Sequence, residues 1–367
     1  MTCVMGETSQ GRGSKELERG DSAPWFRAPA IGGRPDYAFD TVGGRHVLML
    51  FFDSASNPDV KQALECVAKN RALFDDLDAS FFGVTCDIAD AEQGRLGQQL
   101  PGIRFFLDPE RKVSTLYGTA DNPRWLLLDP TLRVLAAYPI SDAQQAIATL
   151  RTVINDRSPD SWAPVLVVPN VFPPELCRQL IDGYESNGGE QSGFMREVDG
   201  KTVLVVDSNH KMRRDWEIQD TGLRDVIAGL VNRHLILPVQ RAFQFRATRM
   251  ERYIVACYEA GAGHFRPHRD NTTSGTAHRR FAVTINLNAD DYDGGDLHFP
   301  EYGQRTYRAP TGGAIVFSCS MLHEATPVTR GKRYAFLPFL YDEVAAKQRE
   351  ANNRFLDPSL GDYSSKP

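Results

Sequence analysis

The sequence has no CxxC pair, no long apolar run and no excess of basic residues, and each absence excludes a class of protein. Its 42 lysines and arginines against 47 aspartates and glutamates give a formal net charge of −5. That balance argues against a general nucleic-acid binder or a protein of anionic membrane surfaces. Because no apolar segment approaches the length of a membrane span and the polar start lacks a signal-peptide core, we expect a cytoplasmic protein.

Cysteine is sparse and follows no metal-binding or redox spacing. The six cysteines are scattered along the chain: Cys3, Cys66, Cys86, Cys177, Cys257 and Cys319. An even count is compatible with disulfides, but a core of this size needs none and nothing suggests export. The sequence therefore predicts free thiols in a reducing compartment.

Histidine is nearly missing from the first half of the chain. Of the eight histidines, only His46 precedes residue 205, so histidine-based chemistry is expected in the second half. A chain of 367 residues is long for one compact domain, so two are expected. We predict domains at 16–157 and 158–345, after a disordered start at 1–15 and before a tail at 346–367.

The first half alternates between apolar strands and amphipathic helices, as in an α/β layer fold. Residues 46–52 ("HVLMLFF") predict a buried strand and residues 58–77 a helix. "SFFGVTCD" and "AEQGRLGQQL" predict a second strand and helix. "RWLLLDPTLRVLAAYP" predicts a hairpin, and "SDAQQAIATLRTVIND" a closing helix capped by Ser141 or Asp142.

These landmarks, together with "GDSAPWFRAPAIGG" and "NPRWLLLDP", resemble the thioredoxin-like fold and its peroxiredoxin branch in particular. The resemblance covers roughly residues 16–157. It implies that Arg124 stands where that family has its active-site arginine.

The resemblance fails where the family's nucleophile should be. Peroxiredoxins place a proline, a threonine and the peroxidatic cysteine after the first strand, where this chain has Asp53, Asn57 and Val60. Cys66 falls a turn or more into the helix, away from the exposed helix start that stabilises a thiolate. We expect a redox-inactive packing, recognition or dimerisation module. The alternative is a thiol peroxidase or reductase that uses Cys66 or Cys86.

The second half begins with helices and continues with short strands. "PPELCRQLIDGYES" predicts a helix with proline in its first turn, and residues 223–243 predict a longer helix broken near Pro238. Six strand-like segments follow, from "RYIVACYEA" to "RYAFLPFLYDE". This order predicts a mainly β jelly roll with supporting helices.

The segment "GAGHFRPHRDN" offers two metal-ligand pairs of different geometry. His264 and His268 have the spacing of ligands on a helix, but Pro267 between them disfavours a helix. In an extended chain, residues two apart point to the same side, so His268 and Asp270 converge. The pair needs a third ligand from a distant segment.

Three later histidines are candidates for that ligand: His278, His298 and His323. We favour His323, because it ends an apolar strand that an antiparallel barrel can bring opposite the first pair. Two histidines and one carboxylate leave adjacent positions open on a six-coordinate metal, as in non-haem Fe(II) oxygenases. Arg333 follows on the next strand and is suited to bind the distal carboxylate of a co-substrate.

Four segments in order then resemble the 2-oxoglutarate/Fe(II) dioxygenases of the prolyl 4-hydroxylase type. They are "CYEAGAGHFRPHRD", "RFAVTINLNADDYDGGDLHF", "PTGGAIVFSCSMLHEATPV" and "RGKRYAFLPF". The resemblance implies a double-stranded β-helix with iron ligands at His268, Asp270 and His323. It also implies 2-oxoglutarate contacts at Arg333 and Tyr258. Many members carry a tyrosine where this chain has Thr284, which retains a hydroxyl.

The resemblance implies hydroxylation of an aliphatic C–H bond with Fe(II), 2-oxoglutarate and O2, releasing succinate and CO2, with ascorbate as a further candidate cofactor. The substrate is a small molecule, an amino acid or a peptidyl residue, and Arg213 or Arg280 is a candidate for holding an anionic part of it. A solvated charged surface is the competing interpretation of both arginines. The competing function for the domain is a non-catalytic iron- or 2-oxoglutarate-binding sensor or scaffold. We further expect no nucleic-acid or membrane partner, and a homodimer through the first domain.

Overall fold

A computed structural model describes residues 16–156 and 161–365 of the chain. Contacts divide the chain into a first unit, Met1–Asp160 with Pro300–Gly303, and a second unit, Ser161–Phe299 with Gln304–Pro367. The start predicted to be disordered, the boundary predicted at 157/158 and Cys3 lie outside the described residues. The other five cysteines are free thiols. Among the described residues, no helix has both the length and the apolarity needed to cross a membrane.

The first unit is built on one five-stranded sheet. Its described strands are β1 (Arg27–Ala28), β2 (Tyr37–Ala38), β3 (His46–Phe52), β4 (Ala79–Thr85), β5 (Ile103–Leu107), β6 (Arg124–Leu128) and β7 (Val134–Pro139). Its helices are α1 (Pro58–Lys69), α2 (Ile88–Glu92), α3 (Lys112–Leu116) and α4 (Ala143–Asn155). The sheet order is β5-β4-β3-β6-β7, with β3, β4 and β5 parallel and β6 and β7 antiparallel. The predicted α/β layering and hairpin are therefore confirmed.

Alternation along β3 divides the core of the first unit between the two faces of the sheet. Leu48 and Leu50 pack with α1 and α4, whereas Val47 and Met49 pack in the opposite cluster. The second predicted helix is wrong beyond Glu92, where α2 ends and the chain turns. At α4, Asp142 is the N-terminal capping residue by position, but its side chain makes no capping hydrogen bond.

The second unit is mainly β, as predicted. Its strands are β8 (Leu166–Val168), β9 (Glu190–Gln191), β10 (Phe194–Val198), β11 (Lys201–Val205), β12 (Lys211–Met212), β13 (Arg214–Glu217), β14 (Arg249–Glu251), β15 (Ile254–Glu259), β16 (His264–His268), β17 (Phe281–Asn286), β18 (Asp293–Gly294), β19 (Leu297–His298), β20 (Thr306–Tyr307), β21 (Ala314–Ser318), β22 (His323–Ala325), β23 (Val328–Arg330), β24 (Lys332–Phe336) and β25 (Phe339–Tyr341). Its helices are α5 (Pro174–Asn187), α6 (Thr221–His234), α7 (Ile236–Phe243) and α8 (Glu343–Ala351).

Two antiparallel sheets carry the second unit. The larger has the order β14-β25-β17-β24-β15-β13-β9, with β21 and β8 attached through β17, and the smaller has the order β12-β16-β22-β19-β20. Apolar residues of α5, α6 and α7 pack on one face of the larger sheet. The period of two along its strands leaves Tyr258, Thr284 and Arg333 to line a pocket together with residues of the smaller sheet.

Two helix predictions in the second unit need adjustment. The helix over 223–243 is two helices, and the break falls at Leu235, so Pro238 lies in the first turn of α7 rather than at the break. Proline is tolerated there because the first-turn amides have no intrahelical partner. The tail predicted from residue 346 begins inside α8, whose Ala345 and Ala346 are buried.

Candidate metal centre

A pair of neighbouring strands brings the three predicted ligands together. His268 ends β16 and His323 begins β22, and the two residues are directly paired across the antiparallel ladder. A register shift between Phe265 and His268 marks an irregularity in this part of the pairing. The backbone amide of Asp270 donates to the carbonyl of Cys319 at 2.9 Å, which holds the carboxylate beside both imidazoles.

The ligand atoms of His268, Asp270 and His323 lie within 4.8 Å of one another. The Nε2 atom of His323 is 3.3 Å from Oδ2 of Asp270, and that of His268 is 3.6 Å from Oδ1. Among the described residues, no other group of three histidine, cysteine or carboxylate side chains converges in this way. The donor set fits a divalent metal with open positions.

Hydrogen bonds at the far side of each imidazole orient the ligand nitrogens. Nδ1 of His268 lies 2.8 Å from the carbonyl of Arg266, and Nδ1 of His323 lies 3.0 Å from that of Met321. Each Nδ1–H donates to its carbonyl, which leaves the Nε2 lone pair directed at the shared centre. This outer bond is the usual support of a metal-bound histidine.

The electrostatics of the centre favour a neutral His268 and an ionised Asp270. Burial, and then the neighbouring His323, lower the pKa of His268 to about 4. Burial acts to raise the pKa of Asp270, but His323 and His268 outweigh it and the net shift is downward. Both shifts leave the groups in the state that binds a metal at neutral pH.

The other two candidate histidines are engaged elsewhere. His278 lies 3.2 Å from Glu251, and His298 lies 2.6 Å from Glu324. His264, at the other end of β16, contacts the carbonyls of Ala262 and Asn209. The extended pair therefore replaces the helical pair, as expected from Pro267.

The walls around the centre are largely apolar. Phe265 stacks on the ring of His268 with centroids 3.5 Å apart, and Phe317 contacts His323 edge-on at 4.6 Å. Leu297, Ala325 and Leu337 also line the pocket. Such walls restrict water near the metal and strengthen electrostatic interactions inside.

Arg333, Tyr258 and Thr284 line the same pocket. Arg333 is 2% exposed, and its Nε atom finds no hydrogen-bond partner in the described part of the chain. It lies opposite Tyr258 across the β15–β24 ladder, with its guanidinium 5.0 Å from the centre of the tyrosine ring. A buried arginine with an unsatisfied donor is suited to receive a carboxylate ligand.

The two arginines predicted to contact substrate are placed differently. Arg213 is buried in the pocket wall and donates to the Tyr258 hydroxyl at 3.2 Å. Arg280 bonds the carbonyl of Ala277 and the side chain of Gln348, and it is not among the pocket-lining residues. Arg213 therefore lies at the pocket, whereas Arg280 is not among the residues that line it, and the substrate role of both stays a prediction.

Sequence reasoning missed Arg252, a third arginine of this pocket. It lies between β14 and β15 with φ +67°, a left-handed conformation uncommon for a residue with a side chain. A charged residue at the start of a strand is ordinarily solvated, so no sequence signal marks it. Only the folded chain turns its side chain inward.

Comparison with protein families matches residues 253–341 to the 2OG-Fe(II) oxygenase superfamily. This segment holds the three converging side chains as well as Arg333, Tyr258 and Thr284.

Two curated relatives are PKHD-type hydroxylases. The protein from Synechococcus sp. (strain JA-2-3B'a(2-13)) is 30% identical over 155 residues, which cover 41% of this chain and 66% of that protein. The protein from Polaromonas sp. (strain JS666 / ATCC BAA-500) is 28% identical over 208 residues, covering 53% of this chain and 86% of that protein.

Solved structures are more distant. A prolyl hydroxylase from Trichoplax adhaerens, in complex with a hypoxia inducible factor peptide, covers 57% of this chain and 94% of its own, with 18% identity and a TM-score of 0.41. A putative thiol:disulfide interchange protein DsbE from Chlorobium tepidum covers 37% of this chain and 99% of its own, with 21% identity and a TM-score of 0.30. At these scores the description of the fold rests on the strand order given above.

The family match coincides with the converging ligands and with the buried arginine that they face. Residues 253–341 of the second unit therefore match the 2OG-Fe(II) oxygenase superfamily, and the three converging side chains lie within the matched segment.

Proposed function

We propose that the second unit is an Fe(II)- and 2-oxoglutarate-dependent oxygenase that hydroxylates an aliphatic C–H bond of a small molecule, an amino acid or a peptidyl residue. The observation that carries the proposal is the convergence of His268, Asp270 and His323 within 4.8 Å in a pocket that also holds Arg333. PKHD-type hydroxylases among its relatives support the same reaction class.

The three side chains would hold the metal on one face through two imidazole Nε2 atoms and one carboxylate oxygen. Bound Fe(II), with 2-oxoglutarate and O2, supplies the oxidising chemistry that hydroxylates the substrate and releases succinate and CO2. Burial lowers the pKa of His268, and the carbonyls of Arg266 and Met321 hold the orientation of the two imidazoles. Ascorbate as an auxiliary reductant remains a prediction.

Arg333 would receive the distal carboxylate of 2-oxoglutarate. Its guanidinium is buried, lacks a partner at Nε among the described residues and lies over the Tyr258 ring, which restricts its motion. A buried guanidinium binds a carboxylate through paired charge-assisted hydrogen bonds. Thr284, 5% exposed on the neighbouring strand β17, offers a hydroxyl to the same co-substrate.

Purified protein supplied with Fe(II), 2-oxoglutarate and O2 tests the proposal. We expect one iron per chain and slow release of succinate even without substrate, because many oxygenases of this chemistry turn over their co-substrate uncoupled. A substrate screen by mass spectrometry should then find a product heavier by one oxygen. Iron binding without any succinate release would instead favour a non-catalytic sensor or scaffold.

We also propose that the facing sheets of the second unit form a double-stranded β-helix and that the first unit has a thioredoxin-like fold. The order β5-β4-β3-β6-β7, with α1 joining two parallel strands, supports the second assignment. Cys66 is the ninth residue of α1 and is buried, and burial raises the pKa of its thiol. These features support a redox-inactive unit, and its role in packing, substrate recognition or homodimer formation stays a prediction. Size determination by light scattering tests the dimer.

A further inference from the structure

The pocket wall beside the metal centre carries more buried positive charge than its carboxylates balance. Arg213 binds Asp215 with two bonds of 2.6 Å, from Nε and Nη2. Arg252 reaches the same carboxylate only at 3.4 Å. Asp215 therefore pairs with two guanidinium groups, with Arg213 through two short hydrogen bonds and with Arg252 through one longer contact.

Lys211 adds a third basic group to this cluster. It is 3% exposed, and its ammonium donates to the hydroxyl of Ser192 and the carbonyl of Gly193, both of them uncharged. Burial and the neighbouring Arg213 lower the pKa of Lys211 well below its ordinary value. Burial is the larger cause of this shift, and the contribution of Arg213 shows that the two basic groups lie close enough to repel each other.

The carboxylate of Glu251, the residue before Arg252, pairs with other groups. Glu251 is 7% exposed and is already surrounded by three partners: Arg279 at 2.7 Å, Arg349 at 2.8 Å and His278 at 3.2 Å. Asp270, the one carboxylate among the described residues that line the pocket, would be committed to the metal. Apart from Arg333, which is assigned to 2-oxoglutarate, Arg252 is therefore the more weakly paired of the arginines that line the pocket.

Arg252 is nevertheless held in place. Its guanidinium lies over the Phe339 ring at 5.4 Å, its side chain is 29% exposed, and its backbone adopts φ +67°. A left-handed conformation is unfavourable at a non-glycine residue, so the surroundings must maintain it. A positioned, weakly paired arginine in the lining of a pocket is suited to bind an anion.

We propose that the substrate carries a carboxylate and that Arg252 binds this group while the carbon to be oxidised faces the metal. The inference rests on the proposed oxygenase function and adds the class of substrate to it. Arg333 then binds the distal carboxylate of 2-oxoglutarate, and Arg252 binds the carboxylate of the substrate. The carboxylate belongs either to a small free acid or to the C-terminus of a peptide.

The test uses the iron-loaded protein with 2-oxoglutarate and pairs of compounds that differ only in the carboxylate. N-acetyl amino acids are compared with their primary amides, and short peptides with a free C-terminus are compared with the same peptides amidated. We expect acids, but not amides, to raise succinate release above the uncoupled rate. Stimulation by free N-acetyl acids or by peptides alone identifies the source of the carboxylate.

Variants separate binding from structure. Arg252→Gln should raise the half-maximal acid concentration about 10- to 100-fold, the loss expected for a charge-assisted bond. Arg252→Lys should raise the half-maximal acid concentration less than Arg252→Gln does, because it keeps the positive charge. Asp215→Asn removes the competing carboxylate and should lower that concentration, an improvement that damage to the fold would not produce. Arg178→Gln on the exposed face of α5 is the matched control.

The rate of succinate release without substrate distinguishes a failure of the proposed function from a failure of the inference about the substrate. No succinate at all from wild-type protein overturns the proposed function itself. Normal uncoupled turnover with equal stimulation by acids and amides, or with no stimulation by any acid, overturns the inference about the substrate. An Arg252→Gln protein that keeps the wild-type acid dependence overturns it as well.

Discussion

The two units both bury charged side chains, but they differ in how completely those charges are paired. In the first unit, Asp90 is 0% exposed and accepts bonds from the amide of Ala55, the hydroxyl of Thr85 and the guanidinium of Arg95. In the second unit, the buried Nε of Arg333 finds no partner among the described residues.

This difference separates charges that stabilise a fold from charges that await a ligand. A buried polar group without a partner costs free energy, so a fold tolerates it only where something else supplies the bond. By that criterion, protein groups alone satisfy Asp90, whereas Arg333 in the pocket of the second unit is suited to receive an anion. Four predictions test the contrast, in order of decreasing effect.

The largest effect is expected from His323→Ala. Two remaining ligands cannot hold iron in a defined geometry, so iron content and succinate release should both fall to background. Iron analysis of the purified protein and the succinate assay measure the two quantities. His264→Ala, at the other end of the neighbouring strand β16, should keep both near wild type. An H323A protein that retains iron and turnover would contradict the assigned centre.

Arg333→Gln should raise the KM for 2-oxoglutarate about 10- to 100-fold, because it removes a buried charge-assisted pair. Iron content should be unchanged, since Arg333 is not a ligand. The KM of Arg333→Lys should lie between those of wild type and Arg333→Gln, because lysine keeps the charge but not the planar geometry. Arg330→Gln, whose side chain is 63% exposed and pairs with Asp293 at the surface, is the control. An unchanged KM in R333Q would remove the assigned role.

A smaller effect, on stability alone, is expected for Asp76→Asn in the first unit. Burial acts to raise the pKa of Asp76, but hydrogen bonds from Arg104 and Ser80 outweigh it and lower the pKa to about 2. Against an unfolded value near 3.8, this shift corresponds to about 2 kcal/mol. Because the folded pKa is depressed, the contribution is present above about pH 4 and is lost as the pH falls from about 4 to about 2.

Hydrogen exchange of the β3 and β4 amides measures this stability within the first unit. The gap between wild type and D76N should be about 2 kcal/mol at neutral pH and should shrink towards about pH 2. Asp36→Asn, in an exposed ion pair with Arg27, should change stability by less than about 1 kcal/mol. A gap that does not depend on pH would show that Asp76 acts through packing instead.

The smallest effect is expected from Cys66→Ser. Since burial raises the pKa of this thiol and the residue lies well inside α1, wild-type protein should not consume peroxide with thiols. The variant should match wild type in peroxide consumption and in succinate release. Peroxide consumption that disappears in C66S would revive the peroxidase alternative.

The elements that could be predicted share a strong local pattern. Apolar continuity predicted β3 and β6, and the proline between His264 and His268 excluded a helical pair through its effect on the local backbone alone. The predicted second helix failed beyond Glu92 because Gly94 and its neighbours favour turns over helical continuation. The two-residue strands of the second unit are too short to leave a periodic signal.

Local sequence alone indicated the pair His268 and Asp270 as candidate metal ligands, because an extended His-x-Asp pair is defined by its own backbone. Only tertiary structure decided which distant histidine completes it, since the pairing of β16 with β22 places His323 rather than His278 or His298 opposite His268. Only the tertiary structure likewise decided that Arg252 lines the pocket and that Arg280 does not. Burial depends on what packs around a side chain, and neighbours in sequence do not determine it.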